Sequence, residues 1–314
     1  MTDNDNGIAR GSITGVGFGL LGVAAFSLTL PATALALGGG VDPWLIGVGR
    51  AAGAGLLAIV YLLVVRAPRP SAAHLRRLAL VSLGVVLGFP VCTTLALITS
   101  TSAHGAVVIA LLPAMTAVFA VLRGGERPPH AFWGASGAGL VAVLGFLLVS
   151  GGVDGGLHAA DLLLLGAVLL AALGYAEGGA LARELGGART ICWALVLSLP
   201  LTVPVTGASL VLHPPREPSA AAWLGLAYVT VISMFLGFFA WYAGLAAGGV
   251  ARVGQVQLVQ PVLTLGWSAL LLGERVGMLT TGAAALVLVC VLLTQRTRAA
   301  VASPQAPVRL SARS

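Results

Sequence analysis

The segment Pro113–Arg127, PAMTAVFAVLRGGER, is answered further along the chain by Pro261–Arg275, PVLTLGWSALLLGER. In both copies the step from proline to glutamate is 13 residues, so both pairs are offset by the same 148. The offset persists outside the motif: Gly134 answers Gly282, Leu140 answers Leu288 and Pro70 answers Pro218. Leu87-Gly88-Phe89 and Leu236-Gly237-Phe238 match at 149, which implies a one-residue insertion between these marks. Solenoid repeats recur every ~20–50 residues, so a period this long describes two homologous halves.

What each half is made of follows from its polarity. The 314 residues are 58 % hydrophobic and only 9 % charged, whereas soluble domains carry roughly 25 % charged residues. Too little charge is present to cover a water-facing surface, so the chain reads as an integral membrane protein. The net charge of +7 does not indicate a nucleic-acid partner, because the arginines punctuate loops and form no basic stripe with interleaved aromatics. All 17 cationic residues are Arg, which excludes a Walker A lysine and a Schiff-base lysine. Cys92, Cys192 and Cys290 are single and sit in apolar runs. The histidines fall in or beside loops, so neither metal nor cofactor is expected.

Ten apolar runs are long enough to span a bilayer, at roughly 14–37, 43–65, 78–98, 104–122, 131–150, 161–182, 190–212, 219–245, 250–272 and 276–295. The first exceeds the apolar core of a signal peptide and is retained as a span. Residues 1–12 read as a polar cytoplasmic tail and 297–314 as a disordered basic tail. With a cytoplasmic N-terminus, 14 arginines fall on the cytoplasmic side and 3 on the other, Arg50 being counted at the mouth of span two. The positive-inside rule therefore places both termini in the cytoplasm. Five spans per half is an odd number, so the second half, 161–296, is inverted relative to the first, 13–150. The fold class is all-α integral membrane, ten transmembrane helices in two inverted five-helix repeats. Such repeats typify secondary transporters with a site near the midplane.

The doubled Pro…Gly-Glu-Arg segment, the five spans per half, Arg50 in "GVGRAAGAG" and the run "AWYAGLAAGGVARVGQVQLVQPVLTLGWSALLLGERV" resemble the EamA type of the drug/metabolite transporter superfamily. The resemblance covers about 13–147 and 161–296. It implies a ten-helix bundle with a central cavity, lined mainly by spans one, three, four, six, eight and nine, working by alternating access. Pro113, Gly125, Glu126, Pro261, Gly273, Glu274 and Arg50 carry the structural motif. Two departures stand out. Family members often carry a Trp-Gly pair with a nearby Asn in span one, where this chain reads Ala25-Phe26-Ser27-Leu28-Thr29. In span six the family's Trp-Ala is Tyr175-Ala176, followed by Glu177.

Glu177 is the acidic residue set well inside a span. Either it binds a cationic group or carries a coupling proton, or it snorkels beside Arg183. Gln257, Gln260, Thr264, Trp267 and Ser268 recur at helical spacing on one face of span nine. The two amides either hydrogen-bond a polar solute or bridge helices. Phe26, Tyr175, Trp241 and Tyr242 offer apolar walls with polar handles, or an interfacial belt. Glu126 and Glu274 stand at turns, where helix capping accounts for them. Close glycine pairs such as Gly174/Gly178 and Gly244/Gly248 predict tight helix packing.

The expected function is secondary transport across the bacterial inner membrane. The chain would export a small metabolite, amino acid or drug-like compound, driven by protons or by the solute's own gradient. Its partners are then a small-molecule substrate and the lipid bilayer. An uptake permease of the same fold and a non-transporting receptor or scaffold are the alternatives. A membrane enzyme would need a polar catalytic cluster at depth, which no span supplies.

Overall fold

The computed structural model describes residues 3–124, 129–150, 158–249 and 253–302. Every regular element among them is helical. Eight helices are long and apolar enough to cross a membrane: α1 (Thr14–Gly38), α2 (Leu45–Val64), α3 (Ala72–Ala96), α4 (Ser102–Arg123), α5 (His130–Ser150), α6 (Ala159–Leu185), α7 (Gly187–Leu212) and α8 (Ala220–Gly248). Two shorter apolar helices follow, α9 (Val256–Leu272) and α10 (Met278–Thr294). The helix that becomes α1 begins at Asp3, and the one that contains α10 continues to Ala302. The polar ends expected as tails are therefore helical as far as they are described.

Helix starts are set by short polar side chains that cap free backbone N–H groups. Ser71 accepts from His74 N, Thr101 from His104 N and Ser219 from Ala222 N. This cap starts α3 at Ala72, earlier than apolarity alone suggested, because the amphipathic HLRR turn is helical. α6 and α7 are joined by Gly186 alone, whose φ of +86° is readily adopted only without a Cβ. Gly273 ends α9 in the left-handed region at φ +64°.

Packing follows a regular scheme. α1 packs along α8 and α6 along α3; α1 meets α9 as α6 meets α4; α2 meets α8 as α7 meets α3. α2 packs on α7, α4 on α9 and α5 on α10. Exchanging each helix with the one five places along the chain leaves all these pairings unchanged. Two corresponding contacts bring backbones together. A Cβ on Gly244 of α8 would lie 2.7 Å from the Gly19 N of α1, and one on Gly84 of α3 would lie 2.4 Å from the Leu170 O of α6. Small residues at such crossings supply the van der Waals contact that holds helices together in lipid. Leu63, Val141, Leu212, Leu224, Leu270 and Val289 point outward and are exposed, an apolar exterior suited to hydrocarbon.

Candidate functional site

Near the middle of the helices a small cavity is enclosed by seven of them. Phe26, Thr29 and Leu30 come from α1, Arg50 from α2, Val85 and Phe89 from α3, and Ala106 and Ile109 from α4. α6 adds Ala171 and Tyr175, α8 adds Ser233, Met234 and Phe238, and α9 adds Gln260, Pro261 and Thr264. The six helices implied by the resemblance all contribute, and α2 joins them through Arg50. Its volume is about 30 Å³, and a single water needs ~10–15 Å³. Any larger occupant requires the helices to part.

Irregular backbone surrounds this space. α1 is interrupted at Leu28. Pro31, lacking an N–H, cannot donate to the Ser27 carbonyl four residues before it. Thr264 Oγ1 donates to that carbonyl at 2.7 Å, and Trp267 Nε1 donates to Ser27 Oγ at 3.1 Å. α4 breaks at Ala110–Leu111 ahead of Pro113, and a tight 3₁₀ stretch, Gly254–Leu258, runs into α9 ahead of Pro261. α2, α3 and α8 contain π-helical stretches at Leu45–Gly49, Ser82–Gly88 and Tyr228–Gly237. Wider turns of this kind re-aim side chains and recur at functional sites. Here they precede Arg50 and deliver Val85 and Ser233. Thr29 Oγ1 and Ser233 Oγ meet 2.8 Å apart across the cavity wall.

An aromatic wall closes one side. The Phe26 ring stacks on Tyr175 at 6.2 Å and tilts against Phe238 at 4.9 Å. Trp241 lies behind them, 5.5 Å from Tyr175, and Tyr242 lies 5.3 Å from Phe238. The Tyr242 hydroxyl donates to Gly174 O at 3.1 Å. Trp241 Nε1 is enclosed without a hydrogen-bond partner.

Beyond this wall the ends of α3, α4 and α6 are tied by charge. Glu177, 2 % exposed, accepts from Arg77 Nε of α3 and pairs with Arg123 Nη2 of α4 at 2.5 Å. Arg77 Nη1 also reaches Glu184 at 2.6 Å, and His74 Nε2 lies 3.1 Å from the same carboxylate. The opposite ends of α4 and α6 line an open vestibule of about 500 Å³. His104 Nε2 and Asp161 Oδ1 lie 2.8 Å apart at its wall. Asp161 also caps α6 by accepting from His158 N at 2.9 Å. Glu274 accepts from the N–H groups of Ser102 and Ala103, at 2.9 and 2.7 Å, on the first turn of α4. Asp161 and Glu177 are about 24 Å apart along α6. The bundle is thus hollow at one end, nearly filled at mid-length and latched at the other.

The side chains singled out from the sequence divide accordingly. Phe26, Tyr175, Gln260 and Thr264 line the cavity; Trp241 and Tyr242 form the layer behind it. Gln257 is 1 % exposed, and both its amide atoms lack a hydrogen-bond partner. Glu177 lies outside the cavity, paired with Arg77 and Arg123, not with Arg183. Arg50 is at no water-facing mouth: it is 1 % exposed and lines the cavity. Gly125, Glu126 and Arg127 lie outside the described residues. Sequence reasoning passed over Thr29, Ser233 and Asp161. A polar pair facing across two helices has no local signature, but His158-x-x-Asp161 before an apolar run is a readable capping pattern. Among the described residues no group of three or more His, Cys, Asp or Glu could hold a metal ion.

The profile of the EamA-like transporter family matches residues 158–296. A Bacillus subtilis (strain 168) protein named as uncharacterized transporter YdeK is 47 % identical over 281 residues, covering 88 % of this chain and 96 % of that protein. A crystal structure of a protein 17 % identical superposes with a TM-score of 0.62, over 89 % of this chain and 96 % of the other; that likeness shows the fold alone. The helical bundle, its apolar exterior and the match across nearly the whole relative agree: this multi-pass membrane protein belongs to the EamA-like transporter family.

Proposed function

We propose that the chain is a secondary transporter exporting a small organic solute, a metabolite, amino acid or drug-like compound, across the bacterial inner membrane by alternating access. The observation that carries this reading is the mid-length cavity set between an open vestibule and a charge-latched end. The principal helix pairings, unchanged when each helix is exchanged with the one five along, support two five-helix halves, 13–150 and 161–296, inverted in the membrane, although α10 also packs on α4. Broken helices at the cavity fit the same reading, because irregular backbone at membrane depth occurs where it is buried or lines a pathway. With both termini cytoplasmic, as the arginine distribution favours, the latch faces the cytoplasm and the vestibule faces outward. Glu177 then acts as a gate residue, and solute contacts fall to Gln260, Thr264, Tyr175 and Phe26.

Purified chain in proteoliposomes, screened for solute flux with and without an imposed pH gradient, tests the activity. Flux is expected for at least one organic solute, and indifference to the gradient would remove protons as the driving ion. Cysteines introduced at Thr99 and at Arg76 in a cysteine-free chain test the two-sided geometry. Impermeant reagent is expected to reach them from opposite sides; labelling of both from one side rejects the alternating-access arrangement.

A further inference from the structure

Arg50 is the one charged residue in the cavity wall, and it is fully enclosed, with 1 % of its surface exposed. Its guanidinium offers five N–H donors. Nη2 has a long contact to Thr93 Oγ1 at 3.5 Å, and Nε has no partner. Thr93 is itself held by the Phe89 carbonyl at 2.7 Å. Among the described residues Arg50 forms no ion pair. Asp42, two helical turns upstream and about 12 Å away along a helix, is engaged by Ser209 and by the N–H groups of Trp44 and Leu45. A buried cation without a counter-charge is strongly disfavoured, and a residue this exactingly enclosed at a transporter's mid-length cavity is accounted for by an anion that arrives with the solute.

We propose that the central cavity binds its solute by a carboxylate held on Arg50, and that the solute is a monoanionic organic acid with an apolar body. This rests on the reading of that cavity as the solute site. A planar guanidinium matches a carboxylate with two parallel hydrogen bonds. One arginine, with no lysine anywhere in the chain, balances one negative charge and not the nearly two of a phosphate ester. No carboxylate lines the cavity to receive an ammonium group, so a zwitterion leaves the site with an uncompensated positive charge. Phe26, Tyr175 and Phe238 supply an apolar wall for the body, while Gln260 and whichever of Thr29 and Ser233 accepts from the other can donate to the remaining carboxylate lone pairs.

The test compares probes of similar body and different charge on the purified full chain, by calorimetry and thermal shift: phenylacetate, phenylglycine, phenethylamine and phenylethanol, with inorganic phosphate alongside. Benzoate, isovalerate and indoleacetate extend the carboxylates to other bodies. At least one carboxylate is expected to bind about tenfold or more tighter than its neutral or cationic counterpart. Arg50→Gln is expected to abolish that preference and Arg50→Lys to retain part of it. Equal binding of the alcohol, stronger binding of the amine, phosphate binding in place of every carboxylate, silence from all carboxylates, or an unchanged preference in Arg50→Gln overturns the proposal. Should Arg50→Gln fail to fold, the wild-type series decides alone. Carboxylate binding without flux in proteoliposomes would count against the transport reading and leave the anion site standing; flux of solutes that bind without Arg50 would do the reverse.

Discussion

Thr264 Oγ1 donates to the Ser27 carbonyl at 2.7 Å, occupying the acceptor that Pro31 leaves without its helical donor. One hydroxyl on α9 thereby repairs the break in α1 beside the cavity. Thr264→Val keeps the shape and removes the donor, leaving a buried carbonyl unsatisfied at a cost of roughly 1–3 kcal/mol. A lower melting temperature for the purified protein is expected, with Thr264→Ser close to wild type. Identical melting of the Val and Ser variants would show that the bond contributes nothing.

Glu177 gathers Arg77 and Arg123 onto one buried carboxylate. Both arginines are part exposed, with 29 % and 45 % of their side-chain surface accessible, so solvent screens the pairs and the loss in Glu177→Gln is about 1–3 kcal/mol, below that for a fully buried pair. The expected outcome is faster cysteine labelling between α4 and α6 from the latched side. A double-mutant cycle with Arg123→Gln checks the assignment, since additive effects would mean that the two residues are not coupled.

Gly178 faces the ring of Tyr242. A Cβ there would sit 2.2 Å from the Tyr242 hydroxyl oxygen and 2.3 Å from its Cζ, and the ring is fully buried. Gly178→Ala must displace a rigid aromatic and its bond to Gly174 O, with an expected destabilisation of about 1–3 kcal/mol. Pairing it with Tyr242→Phe should recover little, because the ring carbon still clashes; full recovery of the melting temperature would contradict this contact.

Glu274 caps the first turn of α4 through two N–H groups. Capping and the helix dipole together suggest a loss of roughly 1–2 kcal/mol for Glu274→Ala. Glu274→Gln keeps an acceptor and should lose less. Urea or thermal melts in detergent give the ranking, and a Gln variant weaker than the Ala variant would refute the capping role.

Much of the architecture was legible because lipid imposes it. Twenty-residue apolar runs, Gly and Pro stops and the 148-residue offset are local or periodic signals. The cavity was only half legible. Gln260 and Thr264 share a helical face and could be grouped by spacing, and Phe26 and Tyr175 stood at corresponding places in the two halves. Arg50 was misplaced because hydropathy locates a residue along a helix, not around it. Five residues inside α2 can mean either the interface or the core, and the π-helical stretch Leu45–Gly49 that precedes it has no sequence signature. The same blindness hid Glu177's partners. Arg77 and Arg123 lie 100 and 54 positions away in sequence, and only the packing of α3 and α4 on α6 brings them together.

A duplicated scaffold whose halves were interchangeable would open to either face at equal free energy. In the proposed mechanism the charged latch breaks that degeneracy, for 148 positions from Arg77, Arg123 and Glu177 stand Gly225, Leu271 and Thr29, none of which can form its mirror image. Since ~1.4 kcal/mol is a tenfold population ratio, even a solvent-weakened cluster would set the resting orientation in that mechanism. In the proposed mechanism, directionality then need not reside in the solute pocket at all: it is written into three side chains at one rim of the bundle, two from the first half and one from the second.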